Sequence, residues 1–329
     1  MINDTGPYIL KIEPHPHLVN DYFNCFQTML ETIAFNWATD VSMMYADFYG
    51  FYYRNHPQES VGASLSPGWG SNVQYLLRNF SEIDLQWGYA ESRDQLLERF
   101  RESMEITGLL ALNMDGYDLP WHPAYRLYHI NAWMLILGYN SETQIIVCLD
   151  PHTNNDLNQL EIEQLPDSSI RYCLISRFAG CSQISPEQSM ANQAERLLGR
   201  DEEGKNSFDR MIDFANSLHD FDRIYQEIAS ATHFNNVKLF IQLKEIQNAR
   251  MNMGVHVLPY LAKFNDGYNT SSIDKMKQMA VDWEKIRMSI MKYSLYSKSE
   301  KGMAKVAERI REIAAQEAQL CEDFARVNE

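Results

Sequence analysis

The feature that most constrains this chain is the stretch from Tyr117 to Pro151, YDLPWHPAYRLYHINAWMLILGYNSETQIIVCLDP. An apolar run from Trp133 to Leu137 leads into a turn containing Gly138, Asn140 and Ser141. A second apolar run, Ile145 to Leu149, then ends in Asp150-Pro151. Two runs of strand length around such a turn predict a β-hairpin. His129 lies just before the first strand and Asp150 closes the second, so antiparallel pairing predicts that these ends approach each other.

A histidine and a carboxylate brought together form the base and orienter of a nucleophilic site. The candidate nucleophile is Cys25, in HLVNDYFNCFQTMLETIAF, where Asp21 or Asn24 offers a helix cap and Phe26, Met29, Leu30 and Ile33 form the apolar face. A thiol in the first turn of a helix feels the positive end of the dipole, which favours the thiolate. Asn20, Asn24 and the Cys25 backbone N–H are the candidate oxyanion donors. Each residue also has an ordinary reading: Cys25 as helix packing, His129 as a loop residue, Asp150 as the opener of an Asp-Pro turn.

The order Cys, His, Asp is that of papain-like sites. The ordered set comprises an early Cys on a helix, the aromatic run YADFYGFYYR (Tyr45 to Arg54), YDLP (Tyr117 to Pro120), the His129-to-Tyr139 segment ending in Gly-Tyr, and the apolar run ending in Asp-Pro. It resembles the butirosin biosynthesis protein H family over roughly residues 14 to 180. The resemblance implies a papain-like amino-terminal domain, similar to the peptidases that cleave double-glycine leaders, and a helical remainder. It also implies acyl transfer in natural-product or nonribosomal-peptide assembly, in which Cys25 takes an acyl group from a carrier-protein thioester and passes it to a small amine. In the family pattern the base stands six residues before the Gly of the Gly-Tyr pair, a position occupied here by Ala132; His129 matches an accessory His. Either His129 is the base, or the site has none.

Composition bounds the alternatives. The chain has 329 residues, with 45% hydrophobic and 22% charged content, enough for one large core or two ordinary ones. A formal net charge of -15 leaves no basic surplus to neutralise phosphates, so no nucleic-acid partner is expected. The same charge means that an acidic carrier protein would need a local basic patch. Cys25, Cys148, Cys173, Cys181 and Cys321 are odd in number and lack Cys-x-x-Cys spacing, which points to a reduced, cytoplasmic setting. No signal peptide and no membrane span are read. His15, His17, His122 and His152 match no zinc spacing, and there is no glycine-rich phosphate loop, so no metal and no cofactor is expected.

The expected fold class is α+β: a papain-like cysteine-peptidase-type domain over 1-182, followed by an all-helical domain over 183-329. Strands are expected at Tyr8 to Leu10, Ile83 to Ala90, Leu109 to Met114 and Ser169 to Arg177, and helices at Cys25 to Trp37, Val73 to Phe80 and Asp94 to Glu105. Val41 to Tyr53 reads as a helical or irregular aromatic stretch that packs a core or walls an acyl pocket, and Asn55 to Trp69 as loop. Helical spacing then covers Ser207 to Ser217, Asp220 to Ala231, Asn235 to Met253, Ser272 to Tyr293 and Glu300 to Val327, the last a candidate surface helix or homodimer seam. The leading function is a cysteine-dependent acyltransferase or cyclase. Its rivals are a non-catalytic binding protein that kept the fold without its base, and a peptidase or amidase.

Overall fold

A computed structural model of the chain describes residues 8–15, 22–68, 71–106, 108–180, 184–231, 233, 236–265, 268–297 and 299–326. The contacts divide it into two units, residues 1–41 with 74–181 and residues 42–73 with 182–329.

The first unit is a mixed α/β structure built on an antiparallel sheet. Its strands are β1 (Tyr8–Ile9), β4 (Ile83–Ala90), β5 (Leu109–Asp115), β6 (Asn131–Asn140), β7 (Ile145–Leu149), β8 (Leu157–Glu161) and β9 (Ile170–Arg177). The order is β4-β9-β5-β6-β7-β8, and β1 pairs with β6 beyond the last β5 pair, Leu110 with Ile136. The predicted hairpin is β6–β7, in the sheet interior, and every residue from Ala132 to Gly138 is buried. Such a run, apolar on consecutive positions, fits a strand covered on both faces.

Period-two alternation assigns those faces. Ala132, Met134 and Ile136 of β6 join Leu110, Leu112 and Met114 of β5 and Cys148 of β7 in one cluster. Leu96, Leu97 and Phe100 of α3 (Arg93–Glu105) cover it. Trp133, Leu135 and Leu137 face the other way, where α1 (Cys25–Trp37) packs against β6 and buries Met29, Leu30 and Ile33 completely. Each of those three side chains contributes about 1.5–3 kcal/mol of transfer free energy. The sheet therefore fixes the amino-terminal end of α1 over the start of β6. The short α2 (Val73–Phe80) leads into β4.

The second unit contains α4 (Pro186–Leu198), α5 (Ser207–Ser217), α6 (Phe221–Ser230), α7 (Lys238–Asn252), α8 (Leu258–Leu261), α9 (Thr270–Lys292) and α10 (Glu300–Arg326). It is not wholly helical. The aromatic stretch assigned by linear reading to the first domain packs here as a 3-10 turn, Ser42–Phe48, and a hairpin of β2 (Phe51–Tyr53) with β3 (Leu65–Pro67). The reason is aromatic packing: Phe51 stacks with Trp283 at 5.6 Å, and Tyr53 meets Phe214 edge-on at 5.4 Å. Polar anchors add to it. Ser207 Oγ both accepts from Phe51 N–H (3.0 Å) and donates to Phe51 O (2.8 Å). The Glu227 carboxylate accepts Gly62 N–H and Leu239 N–H, both at 2.8 Å, satisfying the first turn of α7, whose preceding residue Val237 carries no capping group.

A buried ion pair lies at the centre of this unit. Arg250 donates to Glu317 through Nε (2.9 Å) and Nη2 (2.7 Å) and to Gly50 O through Nη1 (2.8 Å). Among the described residues, no helix is long and apolar enough to cross a membrane, and no group of three or more His, Cys, Asp or Glu is placed to hold a metal ion.

Candidate active site

Cys25 is the first residue of α1. Asn24 caps the helix in extended conformation (φ -87, ψ 170). Its Oδ1 accepts Gln27 N–H at 2.9 Å, while Gln27 Oε1 accepts Asn24 N–H at 3.0 Å. This reciprocal capping box resolves the choice between Asp21 and Asn24 and is worth about 1 kcal/mol. It commits the Asn24 carbonyl oxygen to the helix. Asn20, the other side chain expected to donate to an oxyanion, lies outside the described residues, as do Asp21 and Cys181.

The thiol rests against the edge of β6 that β7 has vacated. The last β6–β7 pair at this end is Leu135 with Leu149. Beyond it, Cys25 Sγ is 3.8 Å from Asn131 O and also feels the Trp133 N–H. Burial pushes the thiol up, the Trp133 N–H works in the opposite direction, and the Asp150 charge adds to the rise; the result is about 11. Partial desolvation and a nearby carboxylate outweigh the helix dipole, so the expected thiolate is a neutral thiol at pH 7.

Asp150 is 1% exposed and held from both sides: Oδ2 accepts Trp121 Nε1–H at 3.2 Å and Oδ1 accepts Thr153 N–H at 3.3 Å. It follows Cys148 by two residues, which by alternation puts it on the face of Ala132 and Met134. The Asp150 charge acts on the Cys25 thiol.

His129 is not brought to them. Its Nδ1 bonds Asp115 Oδ2 at 2.6 Å, its ring stacks on Tyr117 at 4.6 Å, and its side chain is 74% exposed. Asp115 Oδ1 accepts Tyr117 N–H (3.0 Å) and Ile130 N–H (3.1 Å). Burial opposes the charge of Asp115, but those N–H groups and His129 outweigh it and hold the carboxyl below its ordinary range. The cause of the displacement is register. Asp150 stands one residue past the Leu149–Leu135 pair, opposite position 134, and His129 lies five positions further along, beyond the start of β6. The strand that ends beside His129 is β5, through the pair Asp115 with Asn131.

Ala132 lies in β6 between Asn131 and Trp133. Its two neighbours supply the backbone groups around the Cys25 sulfur, and it shares a face with Asp150. It is 1% exposed and opposite Met114. A methyl group there neither accepts nor donates a proton.

Two histidines that match no zinc spacing, His152 and His122, adjoin this region. His152 Nδ1 is 3.1 Å from Thr28 Oγ1, whose own proton goes to Asn24 O (3.0 Å). His122 is half-buried, and its Nδ1 accepts Ala124 N–H at 3.0 Å; burial pushes its pKa down, while the charges of Asp150 and Asp115 act upward. The Asp-Pro-His run after β7 was the available signal for His152. None existed for His122.

An aromatic shelf adjoins the thiol. Phe26 lies 5.1 Å from Trp87 and 5.5 Å from Trp133, and Arg171 spans both indoles at 5.2 and 5.3 Å. Trp87 is partly exposed, so the shelf is open to an apolar ligand. Cys148 and Cys173 are buried in the sheet, where burial pushes both thiols up. No protein-family model matches this chain, and no curated protein matches it.

Proposed function

We propose that the first unit is a papain-like domain of the butirosin biosynthesis protein H type that binds an acyl thioester without turning it over. The observation that carries this reading is Ala132: the β6 position bracketed by the two backbone groups at Cys25 Sγ, and on the same face as Asp150, holds no base. The raised thiol supports it, because a neutral thiol next to an uncompensated carboxylate attacks a thioester poorly. The Phe26, Trp87 and Trp133 shelf supplies an apolar surface for the acyl chain. A carrier protein is the natural donor of such a thioester, and the resemblance of the ordered motifs supports that assignment.

The second reading keeps the enzyme, a thiol acyltransferase releasing an amide to an amine. It is favoured by His152, whose Nδ1 lies 3.1 Å from Thr28 Oγ1 in the first turn of α1. One experiment separates the two. Octanoyl-N-acetylcysteamine is added to the full chain with glycine methyl ester, binding is followed by ligand-observed NMR, and turnover by thiol release and intact mass. The binding reading expects saturable association, no octanoyl adduct on Cys25, and no thiol release above the protein-free rate. Octanoyl amide formed by the native chain and lost in both Cys25→Ala and His152→Ala establishes the enzyme instead. Absence of association contradicts both.

A further inference from the structure

The pairing of β6, β5, β9 and β4 lines up two rows of side chains on the sheet face that carries α1. In the inner row Leu135 pairs with Ala111, Ala111 with Cys173 and Cys173 with Trp87. In the outer row, at the Cys25 end, Trp133 pairs with Asn113 and Arg171 with Tyr89. Asn113 follows the last β5–β9 pair, Leu112 with Tyr172, and so stands opposite Arg171. Alternation keeps both rows on one face. The inner row is fully buried from Leu135 to Cys173. The outer row opens to solvent: Trp133 is buried and Asn113 half-buried, but Arg171 is exposed and Tyr89 is 66% exposed, beside Trp87 at 44%.

The Arg171 guanidinium lies over Trp87 (5.2 Å) and Trp133 (5.3 Å), and among the described residues its side chain forms no ion pair and no hydrogen bond. A cation over an indole is held by the charge distribution of the ring, which leaves its five N–H donors available. Acidic residues outnumber basic ones 44 to 29 in this chain. Even so, the next carboxylate on this face of β5, Asp115, turns its oxygens to His129 and to the Tyr117 and Ile130 N–H groups. Trp133 joins the guanidinium to the thiol, since its N–H acts on Cys25 Sγ and its ring lies under Arg171. Phe26 touches both indoles, at 5.1 and 5.5 Å. From β6 to β9 is two strand spacings, about 10 Å, a gap that an acyl chain of medium length bridges.

We infer that Arg171 sets the specificity of the Cys25 end by pairing with a terminal carboxylate on the acyl group, so that the thioester taken is that of a medium-chain dicarboxylic acid. The methylene chain lies on Phe26 and Trp87, and the carboxylate accepts two N–H donors of Arg171 in bidentate geometry. The inference rests on the proposed binding of an acyl thioester at Cys25. An arginine stacked only to hold Trp87 in place would not distinguish a charged acyl terminus from a neutral one.

The test titrates the full chain at pH 7.5 with S-octanoyl-N-acetylcysteamine and with its ω-carboxy counterpart of equal length, S-(7-carboxyheptanoyl)-N-acetylcysteamine, followed by ligand-observed NMR. The carboxylate is expected to tighten binding at least about fivefold, and Arg171→Gln to erase that gain while leaving octanoyl affinity within about twofold. Arg171 is exposed, so far-ultraviolet circular dichroism of the variant should match the native chain. Equal affinity for the two thioesters in the native chain overturns the inference and leaves the binding reading standing, as does a preference for the carboxylate that survives Arg171→Gln. A gain through Arg171 on S-octanoyl-4′-phosphopantetheine in place of the ω-carboxy thioester puts the anion on the thiol side and also overturns it. Association of neither N-acetylcysteamine thioester overturns both readings together.

Discussion

Replacing Arg250 by Met should be among the most damaging single changes in the second unit. Glu317 is 0% exposed and accepts from Arg250 Nε, Arg250 Nη2, Trp283 Nε1 (3.2 Å) and Tyr49 OH (3.3 Å). Arg250 is 1% exposed and lies over the Tyr49 and Trp283 rings at 4.9 and 5.9 Å. Arg250→Met removes two of the four hydrogen bonds to a buried carboxylate, all of its countercharge, and the donor to Gly50 O. Breaking a buried pair from one side costs about 3–5 kcal/mol, because the surviving charge has neither water nor countercharge. With a urea dependence of about 2 kcal/mol per molar, that is a midpoint lower by about 2 M. The double variant Arg250→Met/Glu317→Met removes both charges and should recover at least half of the loss. Urea unfolding followed by circular dichroism at the helix band is the assay. A loss below about 1 kcal/mol in the single variant, or a double variant no better than the single, refutes the claim that an uncompensated buried charge sets the cost.

Gly62→Ala should destabilise by at least about 2 kcal/mol, since a Cβ there would stand 2.1 Å from Leu239 N and 2.3 Å from Glu227 Oε1, against backbone that starts α7; thermal unfolding reads it, and an unchanged midpoint contradicts the packing described. Hydrogen bonds from Arg210, and then the Lys205 and Glu203 N–H groups, hold Asp201 at about 2. A carboxyl lowered on folding stabilises above its unfolded value near 4 and loses that contribution as pH falls through about 2. Amide signals of Glu203 and Lys205 should therefore shift with a midpoint near 2; a midpoint near 4 excludes the bonds. Asp150→Asn retains an acceptor for Trp121 but removes the charge that raises Cys25, so alkylation of Cys25 at pH 8 should become faster. An orienter of a working base predicts the opposite.

What the sequence made legible was periodic and local. The runs of β6 and β7 and the amphipathic period of α5 give their elements with boundaries within a few residues, because burial there follows directly from side-chain spacing. β8 escaped: in LNQLE only Asn158 and Leu160 turn inward, too weak an alternation to separate from loop. The β2–β3 hairpin escaped because its two strands are only three residues long, and they pack on helices more than a hundred residues away in the chain. At the site, the place of Cys25 at the start of α1 was readable from the helix-start signal. The pairing of His129 with Asp115 was not, since it depends on how far β5 and β7 each run along β6, which neither spacing nor composition encodes.

The most direct test of the account is the rate of iodoacetamide labelling of Cys25 against pH, resolved by peptide mapping, in the native chain and in Ala132→His. A thiol at about 11 is ionised to about one part in 10⁴ at pH 7, so native labelling should be slow and should climb about tenfold per pH unit up to about pH 10 without a plateau. Ala132→His should label quickly at neutral pH, with a plateau set by the new imidazole. Fast native labelling with an acidic midpoint contradicts the account, and its loss in His129→Ala or His152→Ala identifies the base that Ala132 fails to provide.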